Sequence, residues 1–296
     1  MTAGEQGFLL LTSTLGDPER KPLTVAQFRE LTKRMRQTTR PNQDRDLQES
    51  DLIKIGCDQP FARRVLHLLS QTGQLQWYLE KGRRRDCYPL PRNNPDYPDR
   101  LHKGLAMEAP GSLWTIGDRE LLKKPGVSLV GSRDLREENR RFAQAVGKQA
   151  ALQGYVLISG NARGADRVAQ ESCLNHGGSV IKVVADALEK HLPKENVLYV
   201  AEEAFDAPFS AARALNRNRV IHALGQMTFV AQCALGKGGT WDGTVKNLRC
   251  NYGPVLCYDD GSSASCELAQ MGATLIGMAD LQDFEKLRPA KNIFGY

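Results

Sequence analysis

Three glycine-bearing segments of this 296-residue chain have the composition of loops that cradle an anion. The first, Gly131-Ser132-Arg133, follows the apolar run 127–130. Its glycine permits close backbone approach, its serine offers a hydroxyl, and its arginine supplies a forked cation suited to phosphate. The second, residues 159–166, reads Ser-Gly-Asn-Ala-Arg-Gly-Ala-Asp and runs from another apolar stretch into a helical pattern. Backbone amides at such a loop and at the helix start can receive a phosphate. The segment is neither GxGxxG nor a Walker motif, so it points to neither a dinucleotide nor ATP hydrolysis. Asp166 is read as bonding back to its own loop and stabilising the helix dipole rather than as a catalyst. In the third, residues 236–244, Lys237 is placed to neutralise a phosphate and Trp241 reads as packing against a sheet. Ahead of the strand that precedes it, Asn216-Arg217-Asn218-Arg219 puts two arginines and two amides at a helix start. Together these segments predict a phosphate-rich ligand.

Loops of this kind act only when a sheet brings them to one edge. Short continuous apolar runs at 127–130, 155–158, 179–184, 197–200, 227–230, 254–258 and 274–276 predict strands. They alternate with helical patterns at 138–153, 165–175, 219–224, 241–248 and 265–271. Continuous apolar strands separated by helices imply a mostly parallel sheet covered on both faces, a Rossmann-like doubly wound α/β fold. Ligands of such sheets bind beyond the carboxyl ends of the strands, where all three glycine loops fall. Residues 23–77 predict short helices, the first opening after Thr24 as N-cap. The run Lys81-Gly82-Arg83-Arg84-Arg85-Asp86 reads as a solvated loop, and the proline-rich stretch 89–98 as an irregular linker. The expected division is a small helical module with linker over 1–90, then the α/β domain over 91–296.

Composition narrows the function classes. A formal net charge of +6 permits a polyanionic partner without requiring one. No stretch has the length and apolarity of a membrane span, and the first residues lack a signal-peptide pattern, so the expected location is the cytoplasm. The seven cysteines are scattered without a CxxC, which gives no zinc spacing. Cys233 and Cys257 read as core thiols, and Cys173 likewise. No metal, cofactor or catalytic residue is expected.

Several segments also carry a resemblance. Residues 94–101 (Asn-Pro-Asp-Tyr-Pro-Asp-Arg-Leu), residues 110–117 (Pro-Gly-Ser-Leu-Trp-Thr-Ile-Gly), residues 127–133 ending in Gly-Ser-Arg, residues 159–166, and Arg217-Asn218-Arg219 followed by Val220 and Ile221 stand in one order. In that order they resemble the DprA/Smf family of bacterial DNA-processing proteins, over about residues 90–260. The resemblance implies an extended Rossmann fold, binding of single-stranded DNA, a homodimer, and delivery of DNA to the RecA recombinase during transformation, without enzymatic turnover. It places DNA contacts on Gly131, Ser132, Arg133, Gly160, Arg163, Gly164, Arg217 and Asn218; Lys237 and Thr240 join them by loop position. The chain departs from the family pattern where Gln170 replaces a histidine, where Ala214-Leu215-Asn216 precedes Arg217, and across residues 232–240. The C-terminal winged-helix domain of many members is not expected in this sequence.

Two other functions compete with a single-strand binder. A sensor of a nucleotide-derived ligand, as in bacterial defence systems, would close residues 236–244 over a small molecule. A phosphoribohydrolase would use Gly238-Gly239-Thr240, but the glutamate such chemistry needs is missing at 241–245, where only Asp242 is acidic.

Overall fold

The computed structural model of the chain describes residues 1–37 and 46–288. The end of the expected α/β domain, 289–296, lies outside the described residues. Five helices come first. They are α1 (Ala3–Thr12), α2 (Val25–Gln37), α3 (Glu49–Lys54), α4 (Gln59–Ser70) and α5 (Thr72–Arg83). Capping fixes their starts. Thr2 and Glu5 form a reciprocal capping box on α1, and Thr24 and Gln27 exchange backbone and side-chain bonds at the start of α2. Asp58 caps α4 by accepting from the Phe61 amide at 2.8 Å. The basic run read as a loop starts inside a helix, since Lys81 and Arg83 close α5.

The strands β1 (Tyr88–Pro91), β2 (Ser112–Ile116), β3 (Gly126–Val130), β4 (Val156–Ser159), β5 (Val180–Val183), β6 (Val197–Glu202), β7 (Thr228–Val230), β8 (Val255–Tyr258) and β9 (Thr274–Ile276) form one sheet. Its order is β1-β2-β6-β5-β4-β3-β7-β8-β9. The seven strands from β6 to β9 run parallel; β2 pairs antiparallel with both β6 and β1. The Rossmann-like class therefore holds, with one correction. The proline stretch read as an irregular linker begins as a strand, because at the sheet edge a missing proline N–H costs no ladder bond.

Helices α7 (Glu137–Leu152) and α8 (Ala165–Asn175) cover one face. The other carries α6 (Asp99–Leu105), α10 (Asn218–Leu224), α11 (Gly239–Cys250) and α12 (Ser263–Gln270), with α9 (Ala211–Asn216) leading into α10. Strand residues divide with period two: Val127, Leu129 and Phe229 pack under α7 and α8, while Val130 and Val230 join the opposite layer. Among the described residues no helix is long and apolar enough to cross a membrane.

The helical module docks directly on the sheet. Leu9, Leu75 and Tyr78 share a core with Trp114, Tyr199 and Phe205. Tyr78, Trp114 and Phe205 form an aromatic triangle with ring centroids 4.7–5.3 Å apart. Each fully buried side chain of this size contributes about 2–3 kcal/mol relative to exposure, so α5 is held by packing rather than tethered. Asp206 completes the contact, accepting from the Tyr78 hydroxyl at 2.7 Å and from Lys81 at 2.6 Å. Tyr78→Phe is expected to cost about 1–2 kcal/mol, the worth of a partly buried bond to a charged acceptor, read as a lower urea midpoint at unchanged slope.

Candidate functional site

In an open α/β sheet the crevice lies where successive crossovers change direction. Here that point separates β3 from β7, since β4, β5 and β6 extend one way and β8 and β9 the other. The loop after β3 and the loop after β7 flank it. Ser132 ties them together: its amide donates to the Gln232 carbonyl at 2.9 Å and its hydroxyl to the same oxygen at 3.2 Å. Gln232 bonds back, accepting from the Arg136 amide at 2.9 Å and donating to the Asp134 carbonyl at 3.2 Å.

The loop after β4 closes against the loop after β3. Gly164, at φ +87°, stands so close to the Ser132 and Arg133 carbonyls that a Cβ would overlap both oxygens. The Ala165 amide donates to the Ser132 carbonyl at 3.1 Å. Only glycine gives the chain that φ and that approach together. Asp166 behaves as its position predicts. Its Oδ2 accepts from the Gly160 and Ala162 amides, each at 3.0 Å, which folds the loop over the start of α8. Burial pushes its carboxyl above the usual carboxylate range, against the pull of Arg217 and of the two amides.

The structure divides the sequence-predicted residues into an exposed set and a supporting set. Arg133 and Lys237 are exposed, and among the described residues neither side chain has a hydrogen-bond or ion-pair partner. Arg163 is exposed and pairs with Asp134 at 3.1 Å, with side-chain exposures of 71% and 90%. So exposed a pair is worth at most about 1 kcal/mol, which leaves Arg163 free to change partners. Gly131 and Ser132 form the floor between them, half-buried.

Gly160 and Arg217 lie deeper. A Cβ on Gly160 would overlap the Arg217 guanidinium. Arg217 is buried between α9 and α10 and donates to the Val183 carbonyl at 2.5 Å, while its Nε has no partner among the described residues. Its charge therefore reaches the loops from beneath, opposite Asp166. Asn218 donates to the Gly239 carbonyl at 2.9 Å and so anchors the third glycine loop. That loop turns into α11 through Gly238 at φ +89°, leaving Thr240 half-buried in the first turn. The first amides of a helix have no intrahelical partner, so this start adds donors to the edge. Trp241 packs in the core, in keeping with its reading as a residue that packs against the sheet. Arg219 is spent elsewhere, on a bidentate pair with Glu202 at 2.8 Å.

Three groups of this edge escape sequence reading. Gln232 is one. Asn139, at the start of α7, donates to the Ala231 carbonyl and to Asp260, both at 2.8 Å. Asp260 also pairs with Arg136. Burial works against its charge, yet bonds from Ser262 and Asn139 hold its carboxyl below the ordinary value. The one available signal was Asp260-Gly261-Ser262, a turn ahead of the α12 N-cap. Cys173 lies in the core, and burial pushes its thiol up to about 12, in keeping with the reading of an inert thiol.

His222 locks α10 to α11 behind the site. Its Nδ1 accepts from the Asn247 amide at 3.0 Å and lies 3.2 Å from the Thr228 hydroxyl. Burial pulls its pKa from 6.5 to about 4. The folded state thus refuses a proton that the unfolded chain accepts near 6.5. Stability is complete above that pH and falls as pH drops toward about 4. By about pH 5 the loss is expected to reach about 2 kcal/mol, and His222→Gln should flatten the urea-midpoint profile between about pH 7 and 5.

Against this geometry stand the comparisons with known proteins. The sequence model of the family described as DNA recombination-mediator protein A matches residues 90–282. The DNA processing protein DprA of Streptococcus pneumoniae is 27% identical over 269 residues, covering 82% of this chain and 89% of its own. The crystal structure of DNA processing protein A from Streptococcus pneumoniae superposes with a TM-score of 0.65 at 24% identity, over 88% of this chain and 97% of the other. A Helicobacter pylori DNA processing protein A, whose structure describes a single-stranded DNA binding mode, gives a TM-score of 0.54 at 23% identity, over 68% and 94%.

Proposed function

Because the chain belongs to the DNA recombination-mediator protein A family, we propose that it holds single-stranded DNA along the carboxyl edge of its sheet, as a binder in DNA processing rather than a catalyst. One observation carries this reading. At the β3/β7 switch point, Arg133 and Lys237 are exposed without partners among the described residues, above loops so tightly closed that glycine is required at 160 and 164. Cations left unpaired over a rigid backbone floor suit phosphates. Arg163, in its weak pair with Asp134, can join them. Gly131, Ser132, Gly160, Gly164, Arg217, Asn218 and Thr240 shape or support that floor. Asp166 is engaged by two backbone amides, which favours a structural role over acid–base work. Family resemblance further suggests a homodimer, transfer of the strand to the RecA recombinase, a part in transformation, and residence in the cytoplasm.

The test is an anisotropy titration of a labelled single strand, with duplex as competitor. The expected result is tight single-strand binding that duplex displaces poorly and that shows little sequence preference. Equal competition by duplex, or a thermal shift given by a mononucleotide or cyclic nucleotide in place of strand binding, would overturn it.

A further inference from the structure

A second basic surface lies on the same edge of the sheet, between the helical module and β1. It is a groove of about 950 Å³. Its cationic rim is Arg29, Lys33 and Arg36 of α2 with Arg92 across from them, and Glu203 is the single acid among its lining residues. Arg29, Lys33 and Arg36 stand at helical spacing and so project from one face of α2. None of the three pairs with a carboxylate among the described residues; Arg29 only touches the Met107 sulfur, at 3.6 Å. The floor is apolar. Phe28 packs edge-on against Phe8 with centroids 5.0 Å apart, and Met107 and Val25 stay exposed beside it. The three α2 cations over aromatic and thioether surface suit phosphates above and stacked bases below, while Arg92 across the groove donates to the Ala106 carbonyl at 2.6 Å and the Ala109 carbonyl at 3.4 Å and so braces the opposite wall.

Topology places this groove on the same edge as the glycine-loop cleft. β1 is antiparallel to β2, which is antiparallel to β6, so β1 runs with the parallel strands. Arg92, one residue past its end, thus lies on the same edge as Gly131 and Gly160. Glu203, one residue past β6, lines both the groove and a small cavity of about 60 Å³ that Arg213 and Arg217 also line. From β3 to β1 is five strand steps, about 24 Å at about 4.8 Å each.

We propose that one DNA strand runs from the cleft at β3 along this edge into the groove, where the cations of α2 hold its far phosphates. This rests on the reading of the cleft as a single-strand site and adds a second station to it. Helix α2 then contributes to affinity only for strands long enough to span the edge.

The experiment compares the full-length chain with a variant carrying Arg29→Ala, Lys33→Ala and Arg36→Ala. The probes are labelled oligo-dT of about 6 and about 20 nucleotides, lengths bracketing a short and a complete site. The variant should bind the short probe as the parent does and lose at least about tenfold in affinity for the long one at about 0.1 M salt. Its slope of log affinity against log salt should become shallower by about 2, from three contacts at about 0.7 each. An unchanged thermal midpoint shows that the exposed substitutions leave the fold intact, and Lys33→Glu alone should move the long probe in the same direction. Parent and variant binding both probes alike would remove the groove from the path and leave the cleft standing. A parent that binds neither probe would sink the cleft reading and this extension with it. If the variant keeps DNA affinity but loses a labelled Asp- and Phe-rich peptide that the parent binds, the groove's occupant is an acidic protein segment and the proposal is wrong.

Discussion

Arg217→Met is expected to cost about 2–4 kcal/mol of stability, because it removes the bond to the Val183 carbonyl and the positive charge that favours the ionised form of the buried Asp166. The guanidinium lies against Gly160, donates to the Val183 carbonyl, and is the main charge opposing protonation of the buried Asp166. Without it the Asp166 carboxyl rises further, and its bonds to the Gly160 and Ala162 amides weaken with the loss of charge. Since a raised pKa penalises the charged form, the deficit should narrow as pH falls and Asp166 takes a proton. Urea unfolding at two pH values measures this. The double variant with Asp166→Asn should be less destabilised than the sum of the single changes by about 1–3 kcal/mol, the coupling of groups in one network. Additive effects would mean that the two residues do not share a charge balance.

Gly164→Ala should act on the same loops by a different route. At φ +87° and ψ −127° a side chain is strained by about 1–3 kcal/mol before any contact is counted. A Cβ would in addition overlap the Ser132 and Arg133 carbonyls, so the β3 and β4 loops must separate. The expected total is about 3 kcal/mol of stability, with single-strand affinity falling more than the added unfolded fraction explains. A midpoint shift without that extra loss would show that the loop contact matters to folding alone. Gly177, at φ +76° with open space around its missing Cβ, is the control: Gly177→Ala should cost only its backbone strain and leave binding unchanged.

Much of this architecture is legible in the residues. β3, β4, β5, β7 and β8 are buried on both faces, and such strands stand out as short apolar runs. β2 escapes because its five residues are all buried while two of them, Ser112 and Thr115, are polar, so it shows neither alternation nor a continuous apolar run. β1 is hidden by two prolines that only an edge position tolerates. α1 holds two glycines, yet Thr2 and Glu5 spell a capping box that would have revealed it. α9 is a six-residue helix, too short to show a period. At the site, loop composition locates the glycines and the exposed cations. Arg217 shows where composition stops. Its sequence neighbours resemble a ligand-facing helix start, but its surroundings come from the ends of β4 and β5, and burial of a charge by distant segments leaves no local trace.

In the proposed function, the exposed cations Arg133 and Lys237 at the β3/β7 cleft hold the phosphates of a single strand. The salt dependence of oligo-dT affinity, measured for the parent and for the variant carrying Arg133→Ala and Lys237→Ala, tests it most directly. Two lost phosphate contacts should make the slope of log affinity against log salt shallower by about 1.4, at an unchanged thermal midpoint. Identical slopes and affinities in the two proteins would place the strand, if one binds, somewhere other than this cleft.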